Sequence, residues 1–250
     1  MKKKIPNIIH YCWFGGNPLP KSAVKCIDSW KKFFPDYEIK EWNESNFDVN
    51  IIPYTAAAYK DRKYAFVSDY ARFWILYNYG GVYFDTDVEV VRPLDDILAK
   101  GSYMGIEKSL GPIGREYGVN PGLGFAAYPH NDIIGEMVEK YSGLKYGETI
   151  NGRIQNIVDY TTAKMKEYGW VDKNTMQICG DITIYPSEFF CPLALKEEGP
   201  ELEMTENTHT IHKNAGTWLP KSVHIKNKIG DLIGRRAMGW LVKLKHIIKK

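Results

Sequence analysis

The chain has 250 residues, 44% hydrophobic and 25% charged, which suits one large α/β domain with a full core and excludes disordered and fibrous classes. Its net charge of +3 hides a split: residues 221–250 hold nine Lys or Arg against the single acid Asp231, a net +8, leaving −5 for the rest. Four scattered cysteines, Cys12, Cys26, Cys179 and Cys191, form no C-x-x-C or zinc-like grouping and are expected as reduced thiols.

The N-terminus is basic, but the apolar run after it is too short and interrupted for a signal-peptide core, and no stretch nears the ~20 apolar residues that span a bilayer. The expected location is cytoplasmic. Residues 8–13 form an apolar, β-prone run that closes on Gly15-Gly16-Asn17-Pro18, a strand entering a loop. Val24, Ile27, Trp30 and Phe34 mark a helix over 21–34, stopped by Pro35, and residues 37–42 alternate as a strand. Strand, helix, strand opens an α/β sheet with helices on both faces. A second helix runs over 63–79 through Phe66, Tyr70, Phe73, Trp74 and Tyr77 to Gly80-Gly81, followed by a strand over 82–84 and an extended segment through Val88, Val90 and Val91. Residues 111–124, with five glycines and two prolines, read as a functional loop. Helices are expected over 132–141 and 150–168, and a short strand over 182–185. The body is assigned to 1–220 as one domain. The remaining 221–250 read as a basic amphipathic tail with Trp240 on its apolar face, suited to an anionic membrane surface and lacking any nucleic-acid motif.

The residues that carry chemistry cluster around Asp85-Thr86-Asp87. Two carboxylates at i and i+2 off the end of a buried strand point the same way across the pleat, and burying both calls for a cation. A hard divalent ion, Mn²⁺ or Mg²⁺, would keep positions open for phosphate oxygens. Asp69 and Arg72, three apart, share a face of the otherwise apolar preceding helix, as a structural ion pair or part of a site.

In order, Ser68-Asp69-x-x-Arg72 and Tyr79-Gly80-Gly81-Val82-Tyr83-Phe84-Asp85-Thr86-Asp87 closely resemble the D-x-D sugar-binding region of glycosyltransferase family 32. Residues 5–16, Ile-Pro-Asn-Ile-Ile-His-Tyr-Cys-Trp-Phe-Gly-Gly, resemble that family's opening strand and loop, and 211–218, Ile-His-Lys-Asn-Ala-Gly-Thr-Trp, its late I-H-x-x-x-x-S-W segment with Thr217 for Ser. The resemblance implies a GT-A fold with a mixed, mostly parallel sheet, and a retaining, metal-dependent transfer of a hexose or N-acetylhexosamine from a nucleotide sugar, UDP-linked by preference. The acceptor it implies is a glycan, as in bacterial capsule or exopolysaccharide synthesis, and the basic tail, outside the matched region, suits a lipid-linked glycan met at the cytoplasmic face of the inner membrane. By the same resemblance Asp69 and Arg72 bind the donor sugar, and Asp85 contacts ribose and the metal shell. Asp87 and His212 hold the metal, while Tyr11, Trp13, Tyr83, Asn120, Thr217 and Trp218 surround the nucleotide. Two other readings are a haloacid dehalogenase-type phosphatase, with Asp85 as nucleophile and Asp181 as a later acid, and a catalytically silent sugar-binding protein.

Overall fold

A computed structural model describes residues 4–109, 115–150, 153–196 and 199–213. The tail helix expected over 225–250, with Thr217 and Trp218, lies outside the described residues. In chain order the elements are β1 (Ile8–Cys12), α1 (Lys21–Phe33), β2 (Glu38–Trp42), α2 (Pro53–Lys60), α3 (Tyr64–Tyr79), β3 (Gly81–Tyr83), β4 (Val88–Val90) and α4 (Asp95–Leu98). Next come β5 (Tyr103–Lys108), β6 (Tyr117–Asn120), β7 (Phe125–Ala127), α5 (Asp132–Ser142), β8 (Thr149–Ile150), β9 (Arg153–Ile154) and α6 (Ile157–Glu167). Last are β10 (Gln177–Cys179), β11 (Ile182–Tyr185), α7 (Ser187–Phe190), β12 (Leu193–Lys196), β13 (Gly199–Leu202) and β14 (Thr210–His212).

Helix α1 buries Ala23, Cys26, Ile27 and Trp30, one stripe at helical spacing, and gives way ahead of Pro35. Helix α3 is buried almost all round, so its stop must be made by backbone. Gly80 (φ 64°) and Gly81 (φ 102°) turn the chain into β3 where a Cβ would lie 2.6 Å from Pro129 and from the Ile8 carbonyl respectively. The main sheet runs β10-β11-β5-β7-β3-β1-β2, with β6 paired to β5. From the pairings, β2, β1, β3, β5 and β11 point one way while β7, β6 and β10 run against them. It is the mixed, mostly parallel sheet expected, and it carries a core on each face. Alternation along β1 sends Ile9 and Tyr11 to the α1 side and Cys12 to the side of α3, α5 and α6.

Two expectations need correction. The glycine-rich stretch 111–124 is not all loop: residues 117–120 pair with β5, and Pro121–Leu123 make one 3₁₀ turn. The glycines serve close approach there, as at Gly118 and Gly122, where a Cβ would meet neighbouring side chains at 2.7 and 2.4 Å. The helix expected over 150–168 begins only at Ile157, because Asn156 and Asp159 form a capping box, and β8 and β9 pair ahead of it. Helix α2 and strands β5 and β7 are additional.

Candidate active site

The parallel strands β1 and β3 end at the same edge, where Phe84 N–H donates to the His10 carbonyl at 3.1 Å and the chain leaves the sheet at Asp85. The two aspartates then converge through a tight turn, Val88 N–H to the Asp85 carbonyl at 3.0 Å, and not across the pleat of one strand. That corrects the geometric reason given for their pairing and leaves the pairing itself. Strand β14 runs antiparallel to β4 with His212 opposite Val88, so the far end of the chain delivers an imidazole beside Asp87. His212 Nε2 is 3.2 Å from Asp87 Oδ1, and Lys213 N–H donates to the Asp87 carbonyl at 2.9 Å. Burial pushes the His212 imidazole down, but the Asp87 carboxylate and Cys191 outweigh it and hold its pKa well above the usual value. One ligand atom from each of Asp85, Asp87 and His212 lies within 4.8 Å of the others. Two carboxylate oxygens and an imidazole nitrogen fit Mn²⁺ or Mg²⁺, whose binding would displace the imidazole proton.

Arg72 anchors the first aspartate. Its Nη1 donates to Asp85 Oδ2 at 3.2 Å, and Nη2 lies 3.2 Å from Asp85 Oδ1 and 3.1 Å from Asp69 Oδ1. The helix itself aims the fork, because Nε donates to the Ser68 carbonyl at 3.0 Å and Nη2 to Ser68 Oγ at 3.3 Å. The guanidinium stacks 4.9 Å over the Tyr83 ring, whose hydroxyl donates to Asp85 Oδ1 at 3.1 Å. With side chains only 4% and 10% exposed, Arg72 and Asp69 form a desolvated pair, and one cation serves two carboxylates. Burial lifts the Asp69 carboxyl to about 7, against Arg72 and with help from Asp85.

Asn120 reaches the site indirectly. Its Oδ1 accepts from Gly122 N–H at 2.7 Å, and the Gly122 Cα lies so close that a Cβ there would sit 2.4 Å from Asp85 Oδ2. Trp13 follows β1 at the same edge, half-buried, with its indole N–H donating to the Asn17 carbonyl at 2.6 Å. Tyr11 is not brought to the triplet: it faces α1, its hydroxyl donating to Glu41 Oε2 at 2.6 Å and its ring edge-on to Trp30. Thr217 and Trp218 lie outside the described residues. Sequence reasoning passed over Glu107, which accepts from Asn120 Nδ2 at 2.7 Å, and Cys12 and Cys191, which touch Tyr83 and His212. Only the partners of these residues in space identify them. His10 in the opening motif is structural. Trp42 Nε1–H can only donate, so His10 Nδ1 accepts at 3.0 Å, Nε2–H donates to the Gly80 carbonyl at 3.0 Å, and burial lowers the ring to about 4.

The phosphatase reading fails on topology. Asp181 precedes β11, a strand pointing the same way as β3, so it stands at the opposite edge of the sheet from Asp85 and is occupied by Asn131 Nδ2 at 2.7 Å.

Residues 20–104 match the family described as glycosyltransferase sugar-binding region containing DXD motif, a span from α1 through Asp69, Arg72, Asp85 and Asp87 into β5. The chain is 28% identical over 155 residues to inositol phosphoceramide mannosyltransferase 1 of Schizosaccharomyces pombe, covering 58% of this chain and 45% of that protein. Inositol phosphoceramide mannosyltransferase 3 of the same yeast is 36% identical over 98 residues, 38% of this chain and 27% of its own. The matches thus span less than half the length of these yeast relatives. An uncharacterized glycosyltransferase of Acanthamoeba polyphaga mimivirus is 24% identical across 89% of this chain and 86% of its own. Among solved structures, PaToxG glycosyltransferase superposes with a TM-score of 0.50 at 19% identity, covering 66% of this chain and 70% of that one. The fold is of the GT-A glycosyltransferase type.

Proposed function

We propose that this chain, which carries the DXD sugar-binding region of family 32-like glycosyltransferases, transfers a hexosyl group from a nucleotide sugar to a glycan acceptor with a divalent cation held by Asp85, Asp87 and His212. The observation that supports it most is the convergence of those three ligand groups beside an aspartate already fixed by Arg72 and Tyr83. Cleavage at the anomeric carbon leaves negative charge on a diphosphate, and a bound Mn²⁺ or Mg²⁺ supplies charge stabilisation at that oxygen. The protein's part is preorganisation. Arg72 meets both carboxylate oxygens of Asp85, Gly122 closes on it without a side chain, and β14 brings His212 to Asp87 from far along the chain. Asp69 and Arg72 would bind the donor sugar hydroxyls, and Trp13 the nucleobase. Transfer proceeds with retention in this reading, the leaving phosphate taking the acceptor's proton.

UDP-linked hexoses or N-acetylhexosamines are the donors favoured by the family resemblance, with GDP-mannose behind them, and the yeast relatives' names as mannosyltransferases add weight to a mannosyl donor. The acceptor proposed is a glycan or a lipid-linked glycan of the capsule or exopolysaccharide kind, met at the cytoplasmic membrane face through the basic tail. A thermal-shift screen of UDP-glucose, UDP-galactose, their N-acetyl forms and GDP-mannose, each with and without Mn²⁺, tests the donor. A ligand at a hundred times its Kd stabilises by about 2.7 kcal/mol. One nucleotide sugar should raise Tm only with Mn²⁺, and shifts indifferent to Mn²⁺ would count against the metal site.

A further inference from the structure

The strand β5 places Glu107 two residues beyond Gly105, whose partner across the ladder is Asn120, so Glu107 and Asn120 are diagonal neighbours on one face of the sheet. Asn120 Nδ2 lies 2.7 Å from Glu107 Oε2, and Asn120 Oδ1 lies 2.7 Å from Gly122 N. A backbone N–H can only donate, which fixes the carboxamide with its oxygen toward Gly122 and its nitrogen toward Glu107. Gly122 in turn accepts from Asp85 N–H at 3.4 Å and packs directly against Asp85 Oδ2 and Arg72 Nη1, where a Cβ would approach to 2.4 and 3.2 Å. A continuous path of contacts therefore runs from a carboxylate on a central strand to the first aspartate of the triplet. Without Glu107 the amide would be free to rotate and the Gly122 turn would lose its anchor.

We propose that Glu107 is a positioning residue for the cation and donor site, acting through the Asn120 carboxamide and the Gly122 turn on Asp85. This rests on the metal reading above. Groups that orient a metal ligand from behind are worth about tenfold or more in metal affinity. What Glu107 contributes is an acceptor oxygen for Asn120, so glutamine can replace it and alanine cannot.

The test is calorimetric titration of the full chain with MnCl₂ alone, for the wild type, Glu107→Ala, Glu107→Gln, Asn120→Ala and the Glu107→Ala/Asn120→Ala pair, each checked for a cooperative melt. Each alanine variant should weaken Mn²⁺ binding about tenfold, the pair again about tenfold, and Glu107→Gln by no more than about twofold. Losses that multiply to about a hundredfold in the pair, or wild-type affinity in Glu107→Ala, would overturn the proposal. So would a glutamine variant as weak as the alanine one. If Glu107→Ala does not fold, Glu107→Gln alone and on Asn120→Ala carries the test, and any further loss in the latter overturns it. Absence of Mn²⁺ binding by the wild type would overturn the metal reading and this proposal together, whereas the other adverse outcomes leave that reading standing.

Discussion

Gly122→Ala places one methyl group against the first aspartate. The glycine's φ lies outside the left-handed region, so the backbone accepts alanine and the cost is steric alone. The new Cβ would stand 2.4 Å from Asp85 Oδ2, where ordinary contact begins at 3.4 Å, so the carboxylate must retreat by 1.0 Å, the difference of the two. That retreat stretches the 3.2 Å bond from Arg72 Nη1 and the 3.1 Å bond from the Tyr83 hydroxyl beyond hydrogen-bonding range unless both follow. Overpacking of this kind costs about 1–3 kcal/mol, and about 2 kcal/mol is roughly a thirtyfold loss of affinity. Asp85 is 27% exposed and can yield toward the cleft, so the penalty should fall on Mn²⁺ affinity, measured by calorimetry, more than on stability, measured by denaturant unfolding. Wild-type Mn²⁺ affinity in a folded Gly122→Ala protein would refute the packing argument.

Asp69 has a carboxyl raised to about 7 in the fold, so the folded state binds more protons between roughly pH 4 and 7, and its contribution to stability grows as pH falls through that window. His10, lowered to about 4, acts in the opposite sense over nearly the same range. Asp69→Asn should therefore lose stability on acidification more steeply than the wild type, as read by urea unfolding at pH 7.5 and 5; parallel curves would contradict the Asp69 shift. Trp42→Phe removes the Trp42 Nε1–H donor to His10 Nδ1 and should cost about 1–3 kcal/mol in denaturant unfolding, and no loss would reject that assignment. Deleting residues 225–250 should cut flotation with anionic liposomes while sparing turnover of free donor; unchanged flotation would end the membrane proposal.

The segment from α3 to Asp87 was the most legible because it states its structure locally. A helical period ends at two glycines that a turn demands, then a strand and two carboxylates come after, and a positive-φ pair with no room for a Cβ has few substitutes. His212 was legible only through resemblance, since its neighbourhood to Asp87 depends on a pairing of β14 with β4 between segments more than a hundred residues apart. Strand β7 escaped notice because three residues show no period, and β6 because its glycine, needed to let the Arg115 and Val158 side chains pass, imitates a loop signal. Helix α2 packs on α3 and α5 and shows little amphipathic pattern. Tyr11 illustrates the reverse case. Its position in a familiar run suggested the nucleotide, whereas strand alternation commits it to the face opposite Cys12, with Trp30 and Glu41 as partners.

Release of free nucleotide from the donor found in the screen, compared between wild type and Asp87→Asn with Mn²⁺ and with a chelator, tests the central claim most directly. The account predicts turnover by the wild type that stops on chelation and is absent in a folded Asp87→Asn protein. Turnover that survives either treatment would contradict the metal assignment, and a wild type that binds the donor without turning it over would be a sugar-binding protein and not a transferase.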